Sequence, residues 1–307
     1  MKSQSRILSC LILLMFGAWN FDLQAQLPQE QPLWPKGISG NPVKYKEEKL
    51  VKNDFRKSSI TQLNRVFSCV SDPTYILHKP ENGKGNGVAI VICPGGGFRD
   101  VWFDREGNDF GLWLAQRGIT SLVLKYRTFN SDAEGFKLSL NEYMPHVYAD
   151  ARQAIYTLRS QAMELGIDEN KIGIGGFSAG GTLSFMAALG MYEKELPSYA
   201  SFKQVNTNPD FVGLFYPGLN PNLMSLAKKK EAIPPVFMMN GGEDKTTPPE
   251  NCIELYNILT SRQLHVELHI YAKGGHGFDS GLERGYGIST WRDSFIAWLK
   301  DTGFIKE

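Results

Sequence analysis

Ser178 stands in the pattern Gly176-Phe177-Ser178-Ala179-Gly180, the stretch of this chain best suited to chemistry. A β-branched run enters the pattern and small residues leave it, which predicts a strand, a sharp turn and a helix. Such a turn strains the backbone of its central residue, so the residues two before and two after must be small. The hydroxyl of Ser178 would then lie at a helix N-terminus, where free N–H groups can receive negative charge. The alternative is a chance pattern in a glycine-bearing loop, and the flanking strand and helix favour a nucleophile.

A serine hydroxyl is a weak nucleophile at neutral pH and needs a base within hydrogen-bond reach. Histidine suits this role because its ordinary pKa is near 6.5. His276 lies between glycines just after a predicted strand, and we predict that it is the base, with an exposed loop histidine as the alternative. His146 precedes a predicted helix and could line the site. An ordinary structural role is favoured for the remaining histidines, which lie in or beside strands: His78, His265 and His269.

The base in turn needs a carboxylate to fix its tautomer and stabilise the imidazolium. Asp244 directly follows a predicted strand and is the favoured acceptor. Its neighbour Glu243 is the main rival, and Asp210 and Asp279 are weaker ones. Asp244 could instead be a turn aspartate that accepts backbone N–H groups from the residues after it.

Three glycines, Gly95-Gly96-Gly97, follow a strongly apolar strand pattern and predict a loop with accessible backbone N–H groups. Ala179, just after the nucleophile, offers one more such group. Together they predict an oxyanion hole, although a triple glycine could also be only a flexible turn. The chain order Ser178, Asp244, His276 is the order that a strand–turn–helix nucleophile of this type uses.

The elements that must position these residues alternate as single strands and helical patterns, five or six times. This predicts an α/β fold with a doubly wound, mostly parallel sheet and helices on both faces. Ligands of such sheets bind outside the carboxyl ends of the strands, and each candidate residue follows a strand. The predicted strands are residues 88–92, 119–124, 171–177, 211–216, 235–239 and 266–270, with an earlier strand-like stretch over 65–77. We predict irregular insertions at 128–146 and 191–208, and a helix opening at Asp150.

The N-terminus carries a basic segment, a short apolar run and a small residue at Ala25. This pattern predicts a signal peptide over residues 1–25 and a secreted or periplasmic protein, with an uncleaved membrane anchor as the alternative. The run is too short to span a bilayer. Four prolines between residues 26 and 43 predict an extended arm, so we divide the chain into an arm at 26–64 and a catalytic domain at 65–307.

The net charge of +1 over 307 residues, without a basic stripe, argues against nucleic acid as a partner. Three cysteines would remain after cleavage, Cys69, Cys93 and Cys252, and they allow at most one disulfide. None has the spacing of a metal pair, and the predicted chemistry requires neither metal nor cofactor.

Taken together, these motifs resemble the α/β-hydrolase superfamily, in the branch of acetyl xylan esterases and hormone-sensitive-lipase-like esterases. The stretches that carry the resemblance span roughly residues 65–305 and are Pro94-Gly95-Gly96-Gly97-Phe98, Lys125-Tyr126-Arg127, Asp150-Ala151-Arg152, Gly176-Phe177-Ser178-Ala179-Gly180-Gly181, Phe215-Tyr216-Pro217, Gly242-Glu243-Asp244 and Gly275-His276-Gly277-Phe278. The resemblance implies a Ser178–His276–Asp244 triad and an oxyanion hole at Gly96, Gly97 and Ala179.

Pro94 stands where the lipase-like branch has histidine, which brings the chain closer to secreted bacterial carbohydrate esterases. The resemblance therefore implies deacetylation of O-acetylated plant carbohydrate such as xylan, without stable membrane association after cleavage. We expect Phe98, Tyr126 and Tyr216 to wall the substrate pocket, or else to be core aromatics. The alternatives are a prolyl-oligopeptidase-type peptidase, a feruloyl or short-chain lipid esterase, and a non-catalytic carbohydrate-binding relative.

Overall fold

The protein is described by a computed structural model covering residues 27–57, 60–200, 202 and 205–306. The predicted leader over residues 1–25 lies outside these residues. The strands are β1 Gln31–Pro32, β2 Lys49–Phe55, β3 Leu63–Ser68, β4 Thr74–His78, β5 Ala89–Cys93, β6 Asp100–Val101, β7 Thr120–Lys125, β8 Ile172–Phe177, β9 Val212–Phe215, β10 Val236–Gly241 and β11 Val266–Tyr271.

Eight of these strands form the central sheet, in the order β1-β4-β7-β5-β8-β9-β10-β11. The pairs from β7 to β11 are all parallel, whereas β4 is antiparallel to both β1 and β7. The predicted α/β fold with a mostly parallel sheet is therefore confirmed. The remaining strands form a small antiparallel sheet in the order β2-β3-β6.

Helices cover both faces of the central sheet. Their bounds are α1 Asp109–Ala115, α2 Leu140–Ser160, α3 Ala162–Leu165, α4 Ala179–Leu189, α5 Pro221–Lys229, α6 Pro249–Ser261, α7 Tyr286–Ser289 and α8 Trp291–Asp301. Helices α2 and α4 pack together over β5 and β8. On another side, Phe110 of α1 contacts Trp291 and Phe295 of α8, and all three contact Phe215 of β9.

The middle strands are hydrophobic on both faces because helices cover both faces. Every residue of β5, Ala89–Cys93, is buried, and so is every residue of β8. Phe177 ends β8 inside an aromatic cluster that includes Phe110, Phe215 and Trp291. The strand that leads to Ser178 is thus held from both sides up to its last residue.

The predicted irregular segment 128–146 contains the start of a helix. The helix expected to open at Asp150 begins at Leu140, because Ser139 caps it and Glu142 bonds back to the Ser139 N–H in a capping box. Pro145 suggested a loop but lies within the helix, where it removes only one backbone donor. The lysine-bearing polar segment after β9 forms α5, capped by Asn220.

The segment predicted as an extended arm joins the main fold at several points. Gln31–Pro32 pair with β4, and Leu33 and Val43 are buried in the hydrophobic core. Residues 49–55 pair with β3. The division of the chain at residues 64 and 65 remains a prediction.

Cys69, Cys93 and Cys252 are buried and free, so none of them forms a disulfide. Within the described part of the chain, no helix combines the length and apolar character that crossing a bilayer demands. Packing and buried polar contacts must therefore hold the described fold together.

The most buried ion pair joins Arg127, just after β7, to Asp150 in the middle of α2. The guanidinium donates from Nε to Asp150 Oδ2 at 2.9 Å and from Nη2 to Oδ1 at 2.6 Å, and both side chains are fully buried. Trp34 Nε1 donates to the same carboxylate at 2.9 Å, which fastens the N-terminal segment to α2. Burial by itself would lower the pKa of Arg127, but the Asp150 carboxylate outweighs burial and raises that pKa above its ordinary value.

We predict that Asp150→Ala lowers the free energy of unfolding by about 3–5 kcal/mol, because it leaves a buried guanidinium unpaired. Trp34→Phe, which removes one hydrogen bond to the same carboxylate and keeps an aromatic ring, should cost about 1 kcal/mol. Denaturant-induced unfolding of the two variants measures both values. Equal losses for the two variants would contradict this account of the pair.

Candidate active site

Ser178 occupies the turn between β8 and α4 with φ 50° and ψ −117°. A side chain other than glycine rarely adopts positive φ, so the backbone is strained at this residue. The strain is local, since β8 is buried throughout and α4 is buried along its length. The turn therefore projects the hydroxyl beyond the sheet while its two ends stay fixed.

The glycines around Ser178 are required by close backbone approach. A Cβ on Gly180 would lie 1.9 Å from the Cys93 carbonyl oxygen, and one on Gly176 would lie 2.4 Å from the Gly180 carbonyl carbon. A Cβ on Gly95 would lie 3.0 Å from Ser178 Cβ. The end of β5 and the start of α4 are in direct backbone contact, which is a further reason why Gly176 and Gly180 must be small.

His276 lies in the loop after β11 and contacts both other members of the predicted triad. Its Nε2 is 2.8 Å from Ser178 Oγ, and its Nδ1 is 2.8 Å from Asp244 Oδ2. The imidazole is one-quarter exposed, whereas the Asp244 carboxylate is fully buried. The structure thus brings together three residues that are 98 and 32 positions apart in the chain.

Asp244 follows β10 and accepts several hydrogen bonds besides that of His276. Its Oδ1 accepts the backbone N–H groups of Thr246 and Thr247, both at 2.9 Å, and its Oδ2 accepts the Thr247 hydroxyl at 2.8 Å. Burial by itself would raise the pKa of Asp244, but the hydrogen bonds from His276 and Thr247 outweigh burial and lower it. The carboxylate is therefore held ionised beside the imidazole, and the turn role considered as an alternative coexists with this contact.

The rival carboxylates are engaged elsewhere. Glu243 accepts from Lys273 Nζ and the Gly274 N–H. Asp210 binds Arg159 and the backbone of Ile172.

Asp279 pairs with Arg56 and Arg105. None of these three carboxylates contacts His276, which leaves Asp244 as its partner.

Gly96 and Gly97 line the same cavity as Ser178 and have φ of 132° and 64°. The Gly95 N–H is not free to bind an oxyanion, because it donates to Glu106 Oε2 at 2.7 Å. Ala179 is the first residue of α4, so its N–H has no acceptor within the helix. The predicted oxyanion hole at Gly96, Gly97 and Ala179 thus has its backbone groups around Ser178, and the role itself remains a prediction.

Glu106 is a site residue that the sequence did not indicate. It lies in a single π-helical turn, Asp104–Asn108, between β6 and α1, and only 6% of it is exposed. Besides the Gly95 N–H, it accepts the Tyr216 hydroxyl at Oε1 at 2.7 Å. Burial raises the pKa of Glu106 above its ordinary value, against the lowering effect of these two hydrogen bonds. Glu106 therefore connects the glycine loop to the segment after β9 by hydrogen bonds. This connection is visible in the structure and not in the sequence.

Thr247 is a second residue that the sequence did not single out. Besides its bonds to Asp244, its hydroxyl oxygen lies 3.1 Å from His276 Nδ1 and 3.1 Å from the Tyr216 carbonyl oxygen. The sequence indicated Thr246 and Thr247 only as residues that follow a possible turn aspartate. The backbone N–H groups of Thr246 and Thr247 hold Oδ1 of Asp244, the oxygen that does not contact His276.

Phe98, Tyr126 and Tyr216 were expected to wall the substrate pocket or else to be core aromatics, and they are not among the residues that line this cavity. Tyr126 and Tyr216 are fully buried, and the hydroxyl of Tyr126 donates to the Pro94 carbonyl at 2.7 Å. Phe98 packs against Tyr126 and Tyr143. These rings lie behind the cavity, because the loops after β5, β7 and β9 turn their aromatic side chains toward the core.

The cavity beside Ser178 has a volume of about 430 Å³ and is open to solvent. Its lining residues are Gly96, Gly97, Trp102, Arg105, Glu106, Ser178, Thr246, His276, Gly277 and Arg284.

Of the other histidines, His78 binds Asn108 in the core, His146 binds the Tyr199 hydroxyl and His269 binds Glu267 on β11. Among the described residues, no group of three or more His, Cys, Asp or Glu side chains is placed to hold a metal ion.

Comparison with known proteins supports the same architecture. Residues 77–214 match the BD-FAE family profile, and residues 219–302 match that of the prolyl oligopeptidase family. The structure resembles an acetyl ester-xyloside bifunctional hydrolase from Caldicellulosiruptor lactoaceticus, with a TM-score of 0.66 at 23% identity. That likeness covers 92% of this chain and 99% of the other.

The chain is 27% identical to an acetylxylan esterase of Xylanibacter ruminicola over 253 residues, which are 73% of this chain and 46% of that protein. It is 26% identical to endo-1,4-β-xylanase B of Butyrivibrio fibrisolvens over 211 residues, or 61% of this chain and 32% of that protein. The chain thus spans less than half the length of these curated relatives. The strand order, the strained serine turn and the likeness to the solved structure lead to one conclusion: the chain has an α/β-hydrolase fold.

Proposed function

We propose that this chain is a serine esterase that removes acetyl groups from O-acetylated plant polysaccharide or oligosaccharide of the xylan type. The observation that carries this proposal is the continuous contact from Ser178 Oγ through His276 to Asp244, with both distances at 2.8 Å. A hydroxyl, an imidazole and a buried carboxylate in this arrangement are the parts that acyl transfer requires.

In the first half of the proposed reaction, Ser178 Oγ attacks the ester carbonyl while His276 Nε2 takes the hydroxyl proton. The Asp244 carboxylate stabilises the imidazolium that forms and holds its Nδ1–H in place. The carbonyl oxygen becomes an oxyanion, which the N–H groups of Gly96, Gly97 and Ala179 stabilise. When this intermediate collapses, the bond between the carbonyl carbon and the sugar oxygen breaks, and His276 gives its proton to that departing oxygen. Ser178 is left acetylated.

In the second half, water replaces the sugar in the cavity. His276 takes a proton from the water, which attacks the acetylated Ser178, and the oxyanion forms in the same place. Collapse of this intermediate releases acetate and returns the proton to Ser178. These steps require no metal or cofactor.

The substrate class rests on the relatives. One of them is named an acetylxylan esterase, another a xylanase, and the structural neighbour is named for acetyl ester and xyloside hydrolysis. An open cavity suits a leaving group that belongs to a long chain. A polymer cannot enter a cell, so this substrate agrees with the export predicted from the N-terminal segment.

A peptidase is the second candidate, because residues 219–302, which include Asp244 and His276, match the prolyl oligopeptidase family profile. Ala179 argues against a peptidase, because we expect an aromatic residue after the nucleophilic serine in that family. Feruloyl or short-chain lipid esters would use the same steps with a different acyl group. Substrate comparison separates all of these.

We predict that the purified protein releases acetate from acetylated xylan faster than it cleaves long-chain, feruloyl or peptide substrates. Ser178→Ala should reduce acetate release by at least about 10⁴-fold, because it removes the nucleophile. Acetate release and product formation from the other substrates measure both expectations. Preference for long chains or peptides would overturn the carbohydrate assignment, and full activity of Ser178→Ala would overturn the triad.

We also predict that Glu106→Gln lowers kcat for acetate release about 10-fold with little change in KM, because the carboxylate accepts the Gly95 N–H and the Tyr216 O–H on separate oxygens and glutamine replaces one of these oxygens with an NH2 donor. A loosened glycine loop should cost more in the transition state, where the oxyanion is present, than in substrate binding. Steady-state kinetics beside the exposed control Glu164→Gln give the comparison. An unchanged kcat for Glu106→Gln would remove the loop from this account.

A further inference from the structure

Two arginine side chains from separate segments line the cavity that holds Ser178. Arg105 belongs to the π-helical turn before α1, and Arg284 belongs to the loop before α7. Arg284 is exposed, and its guanidinium forms no ion pair or hydrogen bond within the described residues. A cation in this position is available to a bound molecule.

Arg105 is held in a fixed orientation. Its Nε donates to Asp279 Oδ2 at 3.0 Å, its Nη2 lies 3.3 Å from the Gly277 carbonyl, and its guanidinium carbon lies 5.2 Å from the centre of the Trp102 ring. Its Nη1 has no acceptor in the part of the chain that the structure describes, which leaves donors for a ligand. An arginine braced in this way loses little side-chain entropy when it binds an anion.

The acidic groups nearby are buried or already paired. Glu106 is the one carboxylate in the cavity lining, and both of its oxygens accept hydrogen bonds from the protein. Asp279 is 1% exposed and is shared by Arg56 and Arg105. Glu283, beside Arg284 in the chain, accepts from Arg56. An anion that enters the cavity therefore meets two guanidinium groups and no unpaired carboxylate in its lining.

We propose that Arg105 and Arg284 form a subsite for a carboxylate that the ester substrate carries close to its scissile bond. Guanidinium groups bind carboxylates through parallel, charge-assisted hydrogen bonds, and Trp102 offers an apolar surface beside them. The carboxylate belongs either to the leaving group, as a uronic acid on an acetylated oligosaccharide, or to the acyl group, as in a hemisuccinate ester. This inference rests on the proposed esterase function.

The test compares matched pairs of substrates. One pair is an acetylated xylo-oligosaccharide with and without a uronic acid side group, and the other is 4-nitrophenyl hemisuccinate and 4-nitrophenyl acetate. In at least one pair, we expect the acidic member to have the higher kcat/KM. Arg284→Gln should reduce the ratio of the two kcat/KM values, acidic over neutral, about 5-fold. Added salt should reduce the ratio as well, and Arg284→Lys should retain part of it. The pair that responds identifies which side of the ester carries the carboxylate.

Arg117→Gln is the matched control, because Arg117 lies past the end of α1 and stacks on Trp113 outside the cavity. It should leave both ratios unchanged. The subsite proposal is overturned if the wild type cleaves neutral acetyl esters but prefers the acidic member in neither pair. It is also overturned if Arg284→Gln leaves both ratios unchanged. In both cases the esterase proposal stands. If the wild type cleaves no ester at all, the proposed function itself fails.

Discussion

The backbone contact between the end of β5 and the start of α4 is the constraint on which the site depends. A Cβ at Gly180 would overlap the Cys93 carbonyl oxygen, so the helix can lie this close to the strand only without a side chain there. This contact places the residue before α4 beside the glycine loop after β5. The nucleophile and the backbone donors predicted for its oxyanion thus share one junction, and the strain at Ser178 is the local cost.

A second layer of buried polar contacts holds the loops that meet at this junction. Glu106 joins the glycine loop to Tyr216. The Thr247 N–H donates to Asp244, and the Thr247 hydroxyl lies within hydrogen-bond distance of both Asp244 and the Tyr216 carbonyl. The loops after β5, β9 and β10 are therefore linked by hydrogen bonds as well as by the sheet. Burying a carboxylate without hydrogen-bond partners costs folding free energy. The hydrogen bonds to Glu106 and Asp244 therefore favour this one arrangement of the three loops.

The sequence predicted the parts of the structure that follow from periodicity and from order along the chain. Alternating apolar strands and helical patterns indicated the parallel sheet, and the position of Ser178, Asp244 and His276 after strands indicated their convergence. It failed where a local signal was ambiguous. Pro145 suggested a loop, but it lies inside α2, because the capping box of Ser139 and Glu142 outweighs one lost backbone donor. Tyr126 and Tyr216 were assigned to the pocket because residue type does not reveal which way a loop turns its side chain. Glu106 carried no signal at all, since its partners are 11 and 110 residues away.

The central claim is that Ser178 is a nucleophile activated by His276, and covalent labelling tests it most directly. The protein would be treated with a fluorophosphonate and digested, and the modified residue identified by mass spectrometry, for the wild type and for His276→Ala. The account predicts a single label on Ser178 in the wild type and labelling slowed by at least about 10³-fold in His276→Ala, because the hydroxyl loses its base. A label on another residue, or equally fast labelling without His276, would contradict it.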